Sequence, residues 1–449
     1  MKKQTLWSNK SLVAIAAVAL GIGSVPSIAQ TAAPSANLDG RWAATLTESG
    51  GIVIPFRLDI SGAGDHVVGT LYNGDDTETT TSARIENGSV QLNFEHYLTS
   101  IAATVKDGEL DGQIVAQRRS PINITPGQYK ATASDSISAF HAKRYVPPTA
   151  AEAANVPSID GVWEIPHESP KGEKAWRLIV KQNGSEIQTA ILRVDGDTGA
   201  LTGGWQDGKF VASHFDGSRP GLIQLTPQKD GTLEVDVRAE PRNENFIAYR
   251  PEVARAKGFP EPANYLTHTS VRDPNEVFKY SFRDVDGKIV SNDDFKGKVV
   301  VAIVTGTWCP NCHDEAQYLV KLYQQYHAKG VDIVALDFEE ADQAESLTRV
   351  KAFIKQYKVP YHYLIAGTPD EMWDKVPQAV NLNTWPATLF IGRDGKVKAT
   401  YSGFASAASG IYNTALQHDF TSIIDRLVAG ESVQSTASIQ QPGADVASR

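Results

Sequence analysis

Lys298-Val299-Val300-Val301-Ala302-Ile303-Val304 is an unbroken apolar run, and shortly after it stands Trp308-Cys309-Pro310-Asn311-Cys312. A strand buried on both faces of a parallel sheet has the texture of the first segment. Helical spacing follows the second, with apolar or aromatic residues at Ala316, Leu319, Val320, Tyr323 and Tyr326. Strand, CxxC, long helix is the order that thiol chemistry requires. Pro310 fits the first helical position, where its missing N–H does no harm. Cys309 then stands just before the helix, facing free backbone N–H groups and the positive end of the dipole. Those fields favour the thiolate, which is the attacking species. Cys312 lies one turn further in on the same side, where it can displace a partner captured on Cys309. Cys309 is therefore expected to be the nucleophile and Cys312 the resolving thiol.

These are the only two cysteines in 449 residues. Neither can form a bridge elsewhere in the chain, so the pair is a self-contained dithiol. A zinc site wants about four ligands, and His313 alone does not complete the set. A static disulfide across so small a ring would constrain few unfolded conformations and stabilise little.

Strands and helices alternate on either side of this point. Val331-Asp332-Ile333-Val334-Ala335-Leu336 reads as a second buried strand, and Leu347, Val350, Ile354 and Tyr357 mark a helix. Tyr361–Ile365 is a third strand, followed by a short helix around Asp370–Val376. Ala387–Ile391 and Val397–Tyr401 flank the turn Arg393-Asp394-Gly395-Lys396, and Leu416, Phe420, Ile423, Ile424 and Leu427 mark a last helix. This pattern predicts an α/β sandwich over 276–430.

Upstream, the chain repeats itself. Leu38-Asp39-Gly40-Arg41-Trp42 returns as Ile159-Asp160-Gly161-Val162-Trp163, and Arg57-Leu58 as Arg177-Leu178. Asn87-Gly88 matches Asp207-Gly208, and Lys106-Asp107-Gly108 matches Lys229-Asp230-Gly231. Phe140-x-Ala142-x-Arg144 matches Phe246-x-Ala248-x-Arg250. Two homologous units are expected, at 37–146 and 157–251. Stretches such as Val90–Phe94 and Leu233–Val237 alternate apolar and polar residues between Asn-Gly and Asp-Gly turns, so both units should be antiparallel barrels or sandwiches. Trp42 and Trp163 are expected to fill their cores. Residues 252–275, with Pro260, Pro262 and Pro274, are expected to be a linker, and 431–449 a disordered tail.

The first 29 residues have the build of an export signal. Lys2, Lys3 and Lys10 flank the apolar stretch Leu12–Leu20, which is too short to span a bilayer. The mature protein is expected outside the cytoplasm, without stable membrane insertion. The net charge of −9 with dispersed Lys and Arg argues against nucleic acid as a partner. In an oxidising compartment, avoiding every cysteine but one CxxC points to redox use of that pair.

Residues 276–430 resemble the TlpA branch of the thioredoxin superfamily, the exported thiol–disulfide oxidoreductases. Asp286-Gly287-Lys288, Phe295-Lys296-Gly297-Lys298 and Thr307-Trp308-Cys309-Pro310-Asn311-Cys312 are similar to that family's opening. Trp385-Pro386-Ala387-Thr388-Leu389-Phe390-Ile391 with Arg393-Asp394-Gly395-Lys396 is similar to its second signature. The β repeats carry no such match.

The resemblance implies that Pro386 is the family's cis-proline, packed against the CxxC. It implies that the backbone of Trp385 pairs with an incoming client strand, and that Trp308, Pro310 and Trp385 border the client. Trp385 departs from the small or β-branched residue often found there. Glu315 matches an acidic residue that tunes proton transfer at the dithiol; a first-turn helix carboxylate held by the dipole is its other reading. Trp308 has two readings, an exposed shield or a structural side chain, and His313 a simple solvated one.

The expected activity is a dithiol reductase of disulfides in exported proteins, apo-cytochrome c among them. It would need no cofactor beyond the Cys309–Cys312 couple and would be re-reduced by a membrane thiol donor. An oxidase or isomerase uses the same chemistry, and the Pro-Asn pair leaves the redox poise open. The peroxidase branch wants Pro-x-x-x-Thr-x-x-Cys, and here Ala302 and Gly306 stand at the Pro and Thr positions. A third class is a binding module in the β units with the dithiol as accessory. Deleting 37–251 is expected to leave insulin reduction by 276–430 largely intact.

Overall fold

The computed structural model describes residues 37–63, 66–118, 134–146, 156–239 and 242–433. The expected export segment and the tail from 434 onward lie outside the described residues.

The first β unit is a single antiparallel sheet. Its strands are β1 (Gly40–Thr47), β2 (Val53–Ser61), β3 (Val68–Asn73), β4 (Asp76–Thr79), β5 (Ser82–Glu86), β6 (Ser89–Phe94), β7 (Thr99–Lys106), β8 (Glu109–Arg118) and β9 (Ser134–Arg144). They pair in the order β4-β3-β2-β1-β9-β8-β7-β6-β5. Alternate residues point inward, as in β6, where Val90, Leu92 and Phe94 are buried. The sheet curls around Trp42, Leu58, Phe94 and Leu110 and stays open between β4 and β5, a half-barrel.

The second unit comprises β10 (Gly161–Pro166), β11 (Ala175–Asn183), β12 (Glu186–Arg193), β13 (Gly196–Asp197), β14 (Leu201–Gln206), β15 (Lys209–His214), β16 (Gly221–Pro227), β17 (Leu233–Ala239) and β18 (Arg242–Ala248). It winds on until β10 and β18 meet at the bridge between Glu164 and Tyr249, which nearly closes a barrel around Trp163, Leu178, Phe210 and Val235.

The matched landmarks occupy matching places. Trp42 Nε1 donates to Leu38 O at 3.1 Å, and Trp163 Nε1 to Ile159 O at 2.8 Å. The Arg144 guanidinium lies 4.1 Å from the Trp42 ring centroid, and Arg250 lies 3.8 Å from that of Trp163. Asn87-Gly88 and Asp207-Gly208 both turn with two positive φ angles, as a two-residue hairpin demands. Lys229-Asp230-Gly231 differs from its counterpart: Gly231 alone has positive φ there, whereas both Asp107 and Gly108 do.

The expected linker is built structure. It carries α1 (Pro251–Ala256), α2 (Tyr265–His268) and β19 (Ser270–Val271). Asn264 caps α2 by accepting from Leu266 N at 2.9 Å. Tyr265 stacks on Tyr401 and accepts from Arg177 of β11 at 3.0 Å, so this stretch is the joint between barrel and α/β layer.

The last unit has β20 (Ser281–Asp284), β21 (Ile289–Ser291), β22 (Val299–Thr305), β23 (Val331–Phe338), β24 (His362–Gly367), β25 (Ala379–Val380), β26 (Ala387–Ile391) and β27 (Val397–Ser402). Its helices are α3 (Pro310–Tyr326), α4 (Ala341–Ser346), α5 (Thr348–Tyr357), α6 (Met372–Lys375) and α7 (Ile411–Ala429). The sheet order is β21-β20-β24-β23-β22-β26-β27. β22, β23 and β24 run parallel, while β26 and β27 form the antiparallel terminal hairpin. This is the thioredoxin-like sandwich that the resemblance implied. Every residue of β22 is buried. Val299, Val301 and Ile303 pack with α3, α5 and α7, and Val300, Ala302 and Val304 face Phe278, Tyr280 and Met372. Among the described residues no helix is long and apolar enough to cross a membrane.

The units share cores. Leu192 of the barrel joins the cluster around α3 and α7, and Phe215 and Leu222 of the barrel join that of the half-barrel. The β units are thus packed against the α/β layer rather than strung beside it.

Candidate active site

β22 delivers the chain to the dithiol. Cys309 is the N-cap of α3 with extended backbone (φ −90°, ψ 115°), and Pro310 follows at the first helical position. The Cys309 carbonyl accepts from Cys312 N at 2.9 Å and from His313 N at 3.3 Å, which winds the first turn tightly. Both thiols are free and buried. The cis peptide Trp385–Pro386 faces them, and Cys309 Sγ lies 3.3 Å from the Trp385 carbonyl oxygen. The carbonyl of Trp385, before the cis Pro386, thus stands beside the CxxC.

Cys309 is only 5% exposed, which differs from the open thiol that an attacking group suggests. Trp385 is buried, its ring 5.0 Å from Trp308 and 6.0 Å from Phe338. Trp308 is half-buried and donates from Nε1 to Phe338 O at 2.8 Å, which favours its structural reading.

Deeper in, the chemistry is that of buried acids. Burial pushes the Cys312 thiol well above its ordinary value, and the neighbouring Cys309 adds to this. Glu315, one turn beyond Cys312, is 1% exposed and accepts from Thr388 Oγ1 of β26 at 2.9 Å. Burial lifts its carboxyl to about 8 despite that hydrogen bond. Glu315 is therefore not a solvated first-turn carboxylate; it is a neutral acid at pH 7, held under the dithiol. A carboxyl tuned this close to the working pH can exchange protons with a thiol.

His313, read as solvated, is fully buried. Its Nε2 faces Thr307 O at 2.6 Å and its Nδ1 faces Tyr357 OH at 2.9 Å, so neither nitrogen is turned to the cysteines for metal binding. Burial holds its pKa well below the ordinary value, and His96 nearby presses the same way. The neutral ring donates from Nε2 to the Thr307 carbonyl.

The loop before Cys309 rests on charges that the sequence did not single out. Arg349 of α5 donates to Glu339 and, at 2.9 Å, to Glu340, two carboxylates at the end of β23. Its Nε donates to Thr307 Oγ1 at 3.1 Å, and Thr307 in turn donates to Glu339. Adjacent acids following a buried strand were the available signal.

A second unread feature is the reach of the β units into the site. Tyr97 of the half-barrel stacks on His313 at 4.1 Å and 17°, and Glu78 accepts from Tyr357 OH at 3.1 Å. From the barrel, Arg219 donates to Asn311 Oδ1 at 3.0 Å and to Asp314 Oδ2 at 3.2 Å, while Asn311 Nδ2 donates to Asp195 O at 2.8 Å. Burial raises Asp314 to about 7 even with Arg219 opposing.

Residues 272–416 match the Redoxin family. The thiol–disulfide oxidoreductase ResA of Bacillus thuringiensis subsp. konkukian is 34% identical over 143 residues, 32% of this chain and 77% of that protein. ResA of Bacillus cereus is 37% identical over 122 residues, 27% of this chain and 65% of that protein. The chain belongs to the ResA-type thiol–disulfide oxidoreductases. A likeness to a solved structure extends over the same region: a putative thiol:disulfide interchange protein DsbE from Chlorobium tepidum, 20% identical with a TM-score of 0.28, covers 34% of this chain and 99% of that one. As a ResA-type enzyme the chain performs thiol–disulfide exchange, and its α/β layer holds the dithiol. The β units lie outside the matched region, so their residues at the site are additions to the family's framework.

Proposed function

We propose that the chain is an extracytoplasmic dithiol reductase of protein disulfides, with Cys309 as nucleophile and Cys312 as resolving thiol. The observation that carries this reading is Cys309 Sγ at the head of α3, 3.3 Å from the carbonyl oxygen of Trp385 in the cis-proline loop. The Cys309 thiolate attacks one sulfur of a client disulfide; that S–S bond breaks, and the other client sulfur leaves and takes up a proton. Cys312 then gives up its proton and attacks the mixed disulfide, so that the client is released as a dithiol and the enzyme keeps the Cys309–Cys312 disulfide. In its ionised fraction Glu315 takes the Cys312 proton, because a thiol raised by burial needs a base stronger than an ordinary carboxylate. Two electrons from a membrane thiol donor restore the dithiol, and no other cofactor takes part.

The basic and apolar opening over residues 1–29 supports export, and disulfide-bearing exported proteins, apo-cytochrome c among them, are the clients in this reading. The paired Trp–Arg devices support a common origin for units 37–146 and 157–251. The deciding experiment has two arms. A Cys312→Ser variant should accumulate a mixed disulfide through Cys309 with exported proteins, identified by mass. The reduction potential of the couple, measured against glutathione, should lie below that of the exchange buffer; a strongly oxidising value would assign the chain to the oxidases instead.

A further inference from the structure

The dithiol is walled on one side by a turn that does not belong to the α/β layer. β12 and β13 of the barrel are joined by Val194 and Asp195, and this turn lies on the site. Asp195 O accepts from Asn311 Nδ2, between the two cysteines in sequence, at 2.8 Å. Gly196 pairs with Phe404 in a parallel bridge. Gly403 donates to Pro386 O at 2.8 Å, and a Cβ on Gly403 would meet Val194 O at 2.4 Å and Asp195 C at 2.5 Å. The turn therefore covers Asn311 on one side and the strand end beside the cis-proline on the other. Single-residue main-chain pairing of this kind is what an extended segment uses when it adds to an exposed sheet edge.

The turn is anchored at both ends. Asp197 is buried and accepts from Ser406 N at 2.7 Å, from Ser406 Oγ at 2.9 Å and from Ser409 Oγ at 2.5 Å. Lys171 pairs with Asp195 from the barrel side, and Arg219 holds Asn311 and Asp314. Gly196 has φ +122°, and a Cβ there would meet Phe404 O at 2.6 Å and Asn311 Nδ2 at 2.7 Å, so the close approach needs glycine. Trp308 and Trp385 pack in one cluster with Cys309, which is 5% exposed.

We propose that the turn Val194–Asp197 is an intramolecular cap that determines which disulfides reach Cys309. Small disulfides and narrow, extended segments pass between the cap and the tryptophans; a disulfide on a broad folded face is excluded by the barrel. Selection of this kind works through a steric clash built against the wrong client rather than added affinity for the right one. The cap rests on the reading of Cys309 as the attacking thiol.

The test uses the full reduced chain in a Cys312→Ser background, so that Cys309 alone reacts. Its alkylation is followed with iodoacetamide and with a maleimide carried on a long polyethylene glycol chain. Gly196→Val displaces the turn. The bulky reagent should then react about tenfold faster, while the small one changes little. With both cysteines present, the same substitution should raise kcat/KM for insulin more than for a short cyclic disulfide peptide. An unchanged ratio of the two alkylation rates in a folded variant overturns the cap, and so does a fall in both, which would make the turn a support for α3. If Gly196→Val loses its cooperative melt, Lys171→Ala removes the ion pair that holds Asp195 without backbone strain and is judged by the same ratio. Slow reaction of the unmodified cap protein with iodoacetamide as well, no faster than free cysteine, overturns the nucleophile assignment instead, and is told apart because displacing the turn leaves that small-reagent rate low.

Discussion

In the proposed mechanism Glu315 couples the chemistry of the site to the stability of the fold. Its carboxyl has a folded value of about 8 against an ordinary 4.5, and burial is the cause. Between those values the folded chain holds a proton that the unfolded chain has lost. Stability from this group is complete below about 4.5 and is lost as pH rises towards 8, at about 1.4 kcal/mol per pH unit. Glu315→Gln should flatten that decline, seen as a smaller fall in urea midpoint from pH 5 to pH 8 than in the parent chain. Asp314, raised to about 7, contributes with the same sign, so the slope should shrink rather than vanish. The same variant should slow release of the mixed disulfide while leaving its formation by Cys309 nearly unchanged, checked by single-turnover quenching. Position 315 was legible as an acid beside the dithiol; its burial was not, because Thr388, which holds the carboxyl, is 73 residues away in the chain.

At the scale of elements, the support beneath Thr307 is the most exacting arrangement. Arg349 on α5 faces Glu339 and Glu340 at the end of β23, with all three side chains buried. Removing one partner of a buried ion pair leaves charge behind in a poorly solvated place and costs about 3–5 kcal/mol. Arg349→Met should lower stability by that amount, measured by urea denaturation, and Glu339→Gln in the same chain should recover part of it. The elements themselves were largely readable. β22 announced itself as a continuous apolar run and β23 as a mostly apolar one because both faces of each are covered. The β units were readable from alternation and paired turns, though openness between β4 and β5 was not, since closure depends on which strand ends meet. The stretch 252–275 misled because Pro260, Pro262 and Pro274 signal a linker, whereas the Tyr265–Tyr401 stack and the Thr400 hydroxyl donating to Thr269 O are contacts made with residues far along the chain.

For the molecule as a whole, the β units supply part of the wall of the candidate site, so the expected independence of the α/β layer does not fit its contacts. Arg219 lies 92 residues from Asn311, and Tyr97 reaches His313 from the other unit, separations over which local pattern carries no signal. His313 reports on that junction. Burial holds its pKa well below 6.5, so the folded chain keeps the ring neutral where the unfolded chain protonates it. Stability from this residue is present above about 6.5 and is lost as pH falls below it, the opposite limb to that of Glu315. Acidification should therefore loosen the Tyr97–His313 contact first. Hydrogen exchange at pH 5.5 should be faster than at pH 7.5, after correction for intrinsic rates, in segments 95–98 and 310–316, with β22 unaffected. His313→Phe keeps an aromatic ring against Tyr97 but cannot titrate, and should remove the acid-dependent part of that difference. Equal exchange in the parent and the variant at both pH values would show that the junction does not depend on a neutral His313.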